Sequence, residues 1–509
     1  VTIAYVPNDP ASGTPARQIT PTPDRAAPRV GFAVQGLPPE KVYPPASKEF
    51  AAWTAREAAL QAVAAFESCA GPLKAWQGAR QQLPLIPDAG TDLNAYYDRA
   101  SISFFEPQVD GHSFFTGASQ DVVAHETGHA ILDALRPDLW DVAMTEVSAF
   151  HEGFGDCIAV LTALADPANR TALLAADPKL AKANNIEALV EALAGAVGAT
   201  FGATHNAALP RHARNDFRWL LPTNLPDDGP GTVLINEMHS LGQLLSGTYY
   251  RTILGIFPRT AGGEAGLWQA TRVATWLLTG AIARAPIKPR YFQSVGRTML
   301  ALDLATYKER NNGKAIRDAY AHHGIDVGAS TLLAPQQSLG PMAPGFAAAG
   351  DSPLETAGSR DLAELLDAPA GSKPSFRRIE IGERAVAVAS VDRPVDISAL
   401  DPRLAGAVAV APQEAFVGEA GGGAALLGAV DSGASVGAEV RAFVATLLRR
   451  DDIAFDAKPA PRARKPRGAG AGAVSTPASK THAVTAAKRG AAPELRRIAF
   501  ACGCRHSRA

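Results

Sequence analysis

The sequence predicts an α+β fold that is mainly α-helical. Three observations predict it. Long stretches between residues 47 and 323 repeat apolar side chains at helical spacing. Strand-like alternation is confined to short pieces near the start, around residues 94–105, and beyond residue 375. The composition, 47% hydrophobic and 19% charged over 509 residues, supplies a sizeable core. That length suits roughly two to four domains.

Residues 1–46 hold ten prolines and read as an extended segment with short edge strands at 1–6 and 29–34, because proline denies a sheet its N–H. Phe50, Trp53, Leu60, Val63 and Phe66 then mark a long amphipathic helix from residue 47, with Glu57 interrupting its stripe. Residues 94–105 read as two strands about a turn at Asp98-Arg99. Helices follow at 120–135 and 145–164, the second carrying the stripe Val147, Phe150, Phe154, Ile158 and Leu161. A Pro, Asp and Gly-rich loop spans 210–232, and further helices are expected at 237–254, 266–284, 289–304 and 312–323. Together these place one domain over 47–327. The Ala, Pro, Gly and Ser content of 328–374 predicts a linker, and 375–456 a small separate accessory domain. Residues 457–509 carry twelve Lys or Arg against one acid, Glu494, and predict a basic, disordered tail.

The overall charge of -1 excludes a globally basic nucleic-acid binder. The basic tail has Phe500 as its one aromatic, so stacking on bases is not supported, and a solubilising extension is the preferred reading. Four cysteines exclude a disulfide framework. No apolar run is long enough for a membrane span. Residues 1–10 lack the pattern of a secretory signal, so one is expected to be absent or already removed, and the cytoplasm is favoured over export.

One string carries chemistry: Asp121-Val-Val-Ala-His125-Glu126-Thr-Gly-His129. Residues four apart share a helical face, so His125 and His129 can reach one metal ion. Glu126 stands beside that site and can take a proton from an activated water without being a ligand. A hydrolytic zinc site needs three protein ligands and an open position. The next helix offers Glu146, Glu152 and Asp156, of which Glu152 and Asp156 are four apart. Glu152 is therefore expected as the third ligand and Asp156 as the group that orients His125. Cys157 reads as a core thiol.

His125-Glu126-x-x-His129 followed by Glu152-x-x-x-Asp156 resembles the thermolysin-like neutral metallopeptidases, a gluzincin family. Asn94-Ala95-Tyr96-Tyr97 is similar to that family's substrate-pairing edge strand, and Met238-His239-Ser240 with Ser246-Gly247 to its later catalytic segment. The likeness spans about residues 47–327. The resemblance implies a thermolysin-like zincin domain with a reduced N-terminal β part and a C-terminal extension. It implies a metalloendopeptidase with one catalytic Zn2+, a peptide or protein as substrate, and Glu126 as general base. His239 would steady the oxyanion, and the Asn94 side chain and Ala95 main chain would hold the substrate extended.

The chain departs from the family in several places. Twenty-two residues separate His129 from Glu152, a longer spacer than usual, with the extra length expected around 136–144. That stretch has no tyrosine for a second oxyanion donor, Trp140 being its nearest aromatic. Leu234 stands where an acidic partner of His239 is expected, leaving Glu237 or Asp228 as substitutes. Arg211 and Arg214 both remain candidates for holding the substrate carbonyl. Calcium is not expected, because Asp121 alone among the family's calcium acids is kept. The alternative function is a non-catalytic zinc-binding scaffold on the same fold.

Overall fold

A computed structural model describes residues 1–78, 81–308, 311–328, 363–382, 384–420, 423–426, 430–455, 480–485 and 492–501. The chain is mixed α and β, with more helix than strand among the described residues. It opens with short strands β1 (Ile3–Tyr5), β2 (Arg17–Ile19) and β3 (Phe32–Val34), then helix α1 (Lys48–Ala70). Ser47 caps α1 by accepting from the Phe50 N–H at 3.2 Å. Glu57, the polar break in the α1 stripe, is buried against Arg56 and accepts from the Thr22 N–H. Strands β4 (Leu83–Ile86), β5 (Ala95–Tyr97), β6 (Ile102–Phe104), β7 (Gln108–Val109) and β8 (His112–Ser113) follow. The β5–β6 turn places Arg99 at φ 67°.

Helices α2 (Gln120–Leu135) and α3 (Thr145–Ala165) come next, then α4 (Pro167–Ala176), β9 (Ala188–Leu189), α5 (Glu191–Phe201) and β10 (Arg211–His212). The domain closes with α6 (Met238–Ile256), α7 (Gly263–Ile282), α8 (Tyr291–Tyr307) and α9 (Gly313–His322). Helix α3 lies between α2 and α6. These crossings are close because glycines stand at them. A Cβ on Gly128 would meet the Gly155 Cα at 2.8 Å, and one on Gly153 would run into the Gly242 carbonyl. Only backbones without side chains approach to that distance.

The remaining elements are β11 (Ser375–Ile381), β12 (Arg384–Asp396), β13 (Val408–Ala420), β14 (Gly423–Leu426), α10 (Gly433–Arg449), β15 (Ile453–Ala454), β16 (His482–Thr485), β17 (Glu494–Arg497) and β18 (Phe500–Ala501). Strands β11, β12, β13, β17, β16 and β15 pair in that order in a seven-stranded sheet, with β14 beside β13. A second sheet has the order β18-β5-β6-β4-β3.

Two expectations are corrected here. Residues 375–456 are not a separate accessory unit, because their core is continuous with that of the helices. Ala143 donates its N–H to the Val410 carbonyl, and Ile287 and Glu414 bond each other. Nor is the basic tail disordered throughout. Residues 480–485 and 492–501 supply strands to both sheets, held by long-range pairs such as Val408↔Glu494 and Phe500↔Tyr97 that local composition does not reveal. The rest of the tail, and most of the expected linker, lie outside the described residues. Among the described residues no helix is long and apolar enough to cross a membrane.

Candidate metal centre

Helix α2 begins at Ser119, which caps it through Val122 and donates to a buried Asp9 carboxylate at 2.6 Å. Its four-residue spacing turns His125 and His129 to one side, against α3. His125, Glu126 and His129 are buried and form a group that could hold a metal ion, with ligand atoms within 4.8 Å of one another. Glu152 on α3 converges on the same place. Its Oε2 lies 3.2 Å from His125 Nε2 and 3.6 Å from His129 Nε2. Two ligands bound at about 2.0–2.1 Å to a tetrahedral zinc lie about 3.3 Å apart, so the spacing suits such an ion. His129 Nε2 and Glu152 Oε1 are buried without a hydrogen-bond partner, so each has a lone pair that a cation could take. Glu126 and Glu152 both face the imidazole pair, and the short distances of Glu152 make it the better third ligand.

The ligands are held from behind. Asp156, one turn beyond Glu152, accepts from His125 Nδ1 at 2.9 Å, which leaves Nε2 as the lone-pair nitrogen. Arg211 donates to Asp156 through Nη2 at 2.7 Å and through Nε at 3.1 Å. A Cβ on Gly155 would sit 2.7 Å from the His125 ring, so this glycine makes room for the ligand. His151 is the corresponding neighbour of His129, with the two Nδ1 atoms 2.8 Å apart.

Burial works to raise the carboxyls of Glu152 and Asp156, and nearby groups overcome it. His239 and His129 hold Glu152 well below the usual carboxylate range, and Arg211 with His125 holds Asp156 low. Both are therefore anionic, as a cation site requires. Burial, with His129 and Arg497 adding to it, pushes His151 well below 6.5, so that imidazole is neutral.

His239 stands at the start of α6, its Nε2 3.2 Å from Glu152 Oε2. Glu237 has two tasks. One oxygen meets His239 Nδ1 at 2.6 Å and the other caps α6 by accepting from the Ser240 N–H at 2.9 Å. Burial opposes its ionisation, but His239 pulls the Glu237 carboxyl down to about 2. Of the two acids left open by the sequence, Glu237 thus meets His239, while Asp228 is exposed and bonds the Gly229 N–H. The two arginines separate as well. Arg211 lies on Asp156, whereas Arg214 donates to the carbonyls of Leu180 and Lys182. Glu146 is not at the centre: it accepts from Trp219 Nε1 and the Phe292 N–H. Asp121 is buried and accepts from the Val190 N–H.

A cavity of about 610 Å3 opens beside His239 and Arg211. Leu193, Val197 and Phe201 of α5 line it with apolar side chains, and Arg449 of α10 also lines it.

Asn94 and Ala95 are buried at the start of β5, and the Tyr97 hydroxyl fastens that strand to α2 by donating to Asp133 at 2.9 Å. The expectation of an open substrate edge is corrected: β18 pairs antiparallel with β5, Phe500 opposite Tyr97 and Ala501 opposite Tyr96. The sequence reading missed His151, Arg497 and Phe500. His151 could have been found as a third histidine adjoining Glu152, and Phe500 as the single aromatic of the tail.

A comparison with known protein families finds no family that matches the chain, and none of the curated proteins matches it in sequence.

Proposed function

We propose that the chain is a zinc-dependent metalloendopeptidase of the thermolysin-like class. The observation that supports this reading best is the convergence of His125, His129 and Glu152 with Glu126 beside them and His239 opposite. A purely structural zinc site needs no adjacent base and usually has four protein ligands, often cysteine. A zinc ion held by His125, His129 and Glu152 would supply Lewis acidity toward a peptide carbonyl and the attacking water.

The other groups then have defined tasks. Glu126 takes one proton from the water as its oxygen joins the carbonyl carbon, and passes that proton to the amine as the C–N bond breaks. His239 donates from Nε2 to the oxyanion, with Glu237 holding its other nitrogen. Asp156 and Arg211 keep His125 in its ligating tautomer. In this reading Arg211 orients a ligand, and the α5 cavity receives a large apolar side chain next to the cut.

A second reading, a non-catalytic metal-binding scaffold, is favoured by one observation: β18 covers the β5 edge that a substrate would need.

The deciding experiment is digestion of a mixed peptide library by the zinc-loaded chain, read by mass spectrometry beside Glu126→Gln. The expected outcome is cleavage by the parent chain and a loss of at least about 10³-fold in the variant at unchanged zinc content. Silence of the parent chain, of Phe500→Ala and of a chain ending at Arg497, all with zinc bound, would favour the scaffold.

A further inference from the structure

We propose that residues 498–501 are a built-in competitor of peptide substrate, a strand of the chain itself that occupies the β5 edge beside the candidate metal centre until a substrate displaces it. The proposal rests on the peptidase reading above and adds its regulation.

The geometry is that of an extended peptide on a sheet edge. Without β18, β5 would be the outermost strand of its sheet. β18 lies antiparallel on it and continues the ladder by two residues. Phe500 then turns its ring onto the metal centre. The ring stacks on His129 with centroids 4.7 Å apart and on His151 at 3.8 Å, and meets Trp140 edge-on at 5.3 Å. It is buried to 1% exposure. A side chain from an added strand thus rests on the imidazole of an expected zinc ligand, and a substrate strand on β5 would contend for the same space.

The segment is seated by a bracket formed from residues 140–148. Trp140 Nε1 donates to the Arg497 carbonyl at 3.1 Å, and Arg497 Nε donates back to the Trp140 carbonyl at 3.1 Å. Arg497 Nη2 reaches Ser148 Oγ at 2.6 Å, and Asp141 takes the Arg497 N–H and the Arg496 guanidinium. Part of this bracket is the 136–144 spacer between the histidine motif and Glu152. The hold is also limited. The ladder is two residues long, and Arg497 Nη1 is buried with no hydrogen-bond partner. Such a strand is suited to leave when a longer peptide pairs with β5.

The test compares three zinc-loaded proteins: the full chain, the full chain with Phe500→Ala, and a chain ending at Arg497, which keeps β17 and the Trp140 bracket. Two readouts are taken. One is cleavage of the mixed peptide library. The other is fluorescence-polarisation binding of a labelled synthetic peptide, Ile498-Ala-Phe-Ala501, the part of the strand that the shortened chain lacks. The expected result is at least tenfold faster cleavage by the shortened chain and a smaller rise for Phe500→Ala. The labelled peptide should slow cleavage by the shortened chain and bind it at least tenfold more tightly than it binds the full chain. Equal cleavage by all three proteins overturns the competitor and leaves the peptidase reading standing. If none of the three cleaves, the peptidase reading fails. Occlusion of the edge is then upheld by tighter peptide binding to the shortened chain than to the full chain, and overturned by binding to neither or by equal binding to both. If the shortened chain does not fold, Phe500→Ala decides by the same two readouts.

Discussion

The helical wall of the candidate metal site and the strand that covers its edge are held in different ways. In the wall, α2 and α3 touch backbone to backbone at Gly128 and Gly155, and His125 is fixed by Asp156, itself fixed by Arg211. In the cover, a two-residue ladder, one phenyl ring and the Arg497 bracket hold β18, and a guanidinium nitrogen is left without a hydrogen-bond partner. The difference teaches that rigidity and occupancy are separable here. The wall holds its candidate ligands rigidly, while the cover depends on fewer contacts, so the proposal places the movement there.

Breaking the wall should have the largest effect. Gly155→Val places a side chain against the His125 ring, and should cost about 3 kcal/mol of stability together with zinc uptake. Thermal melts and metal analysis of the purified variant check this. Unchanged zinc content would show that α2 and α3 can separate without losing the site.

The wall also contains a pH-sensitive contact at its start. Burial raises the Glu146 carboxyl from 4.5 to about 7, against the pull of Arg290 and its hydrogen bonds from Trp219 and Phe292. The folded chain therefore favours the protonated form. That stability is full below pH 4.5 and is lost as pH rises through about 7, by at most about 3 kcal/mol. Denaturant melts across this window should show the decline in the parent chain and a flatter profile for Glu146→Gln.

Arg211→Met tests the support behind the ligand. It leaves Asp156 and His125 in place but removes the guanidinium that holds the carboxylate. Zinc affinity should fall about 10–100-fold, measured by competition with a chromogenic chelator. A matching Arg214→Met should leave affinity unchanged, since Arg214 serves the Leu180 and Lys182 carbonyls.

The smallest effect belongs to the cover. Trp140→Phe keeps a ring beside Phe500 and removes the donor to the Arg497 carbonyl. One hydrogen bond is worth about 1 kcal/mol, so hydrogen-exchange protection over 494–501 should drop about fivefold. Protection over α2 should not change, and a parallel drop there would mean that wall and cover open together.

How much of this was legible in the sequence follows the range of the interactions. His125, His129, Glu152 and Asp156 were readable because one helical turn fixes their faces. Glu237 was left as one of two candidates, and its place two residues before His239 at the start of α6 decides for it. Arg211 could not be told from Arg214, since the choice depends on β10 pairing with β9, Arg211 opposite Leu189. The expected helices between residues 47 and 323 matched their periodic stretches to within about six residues, whereas α4 and α5 were not expected. The cover was missed because its pairs with Tyr96 and Tyr97 lie far away in the chain and leave no local periodicity, and because a basic, Ala- and Gly-rich setting hides a short strand.

The distance between β5 and β18 has a consequence for synthesis. Tyr97 and Phe500 are separated by roughly 400 residues, so at about 5–20 residues per second the ribosome makes β5 some 20–80 s before its partner. During that interval the nascent chain presents an unpaired strand edge beside the candidate metal ligands. Such an edge is a template for other extended chains. That edge is open to such pairing until residues 500 and 501 arrive to take it.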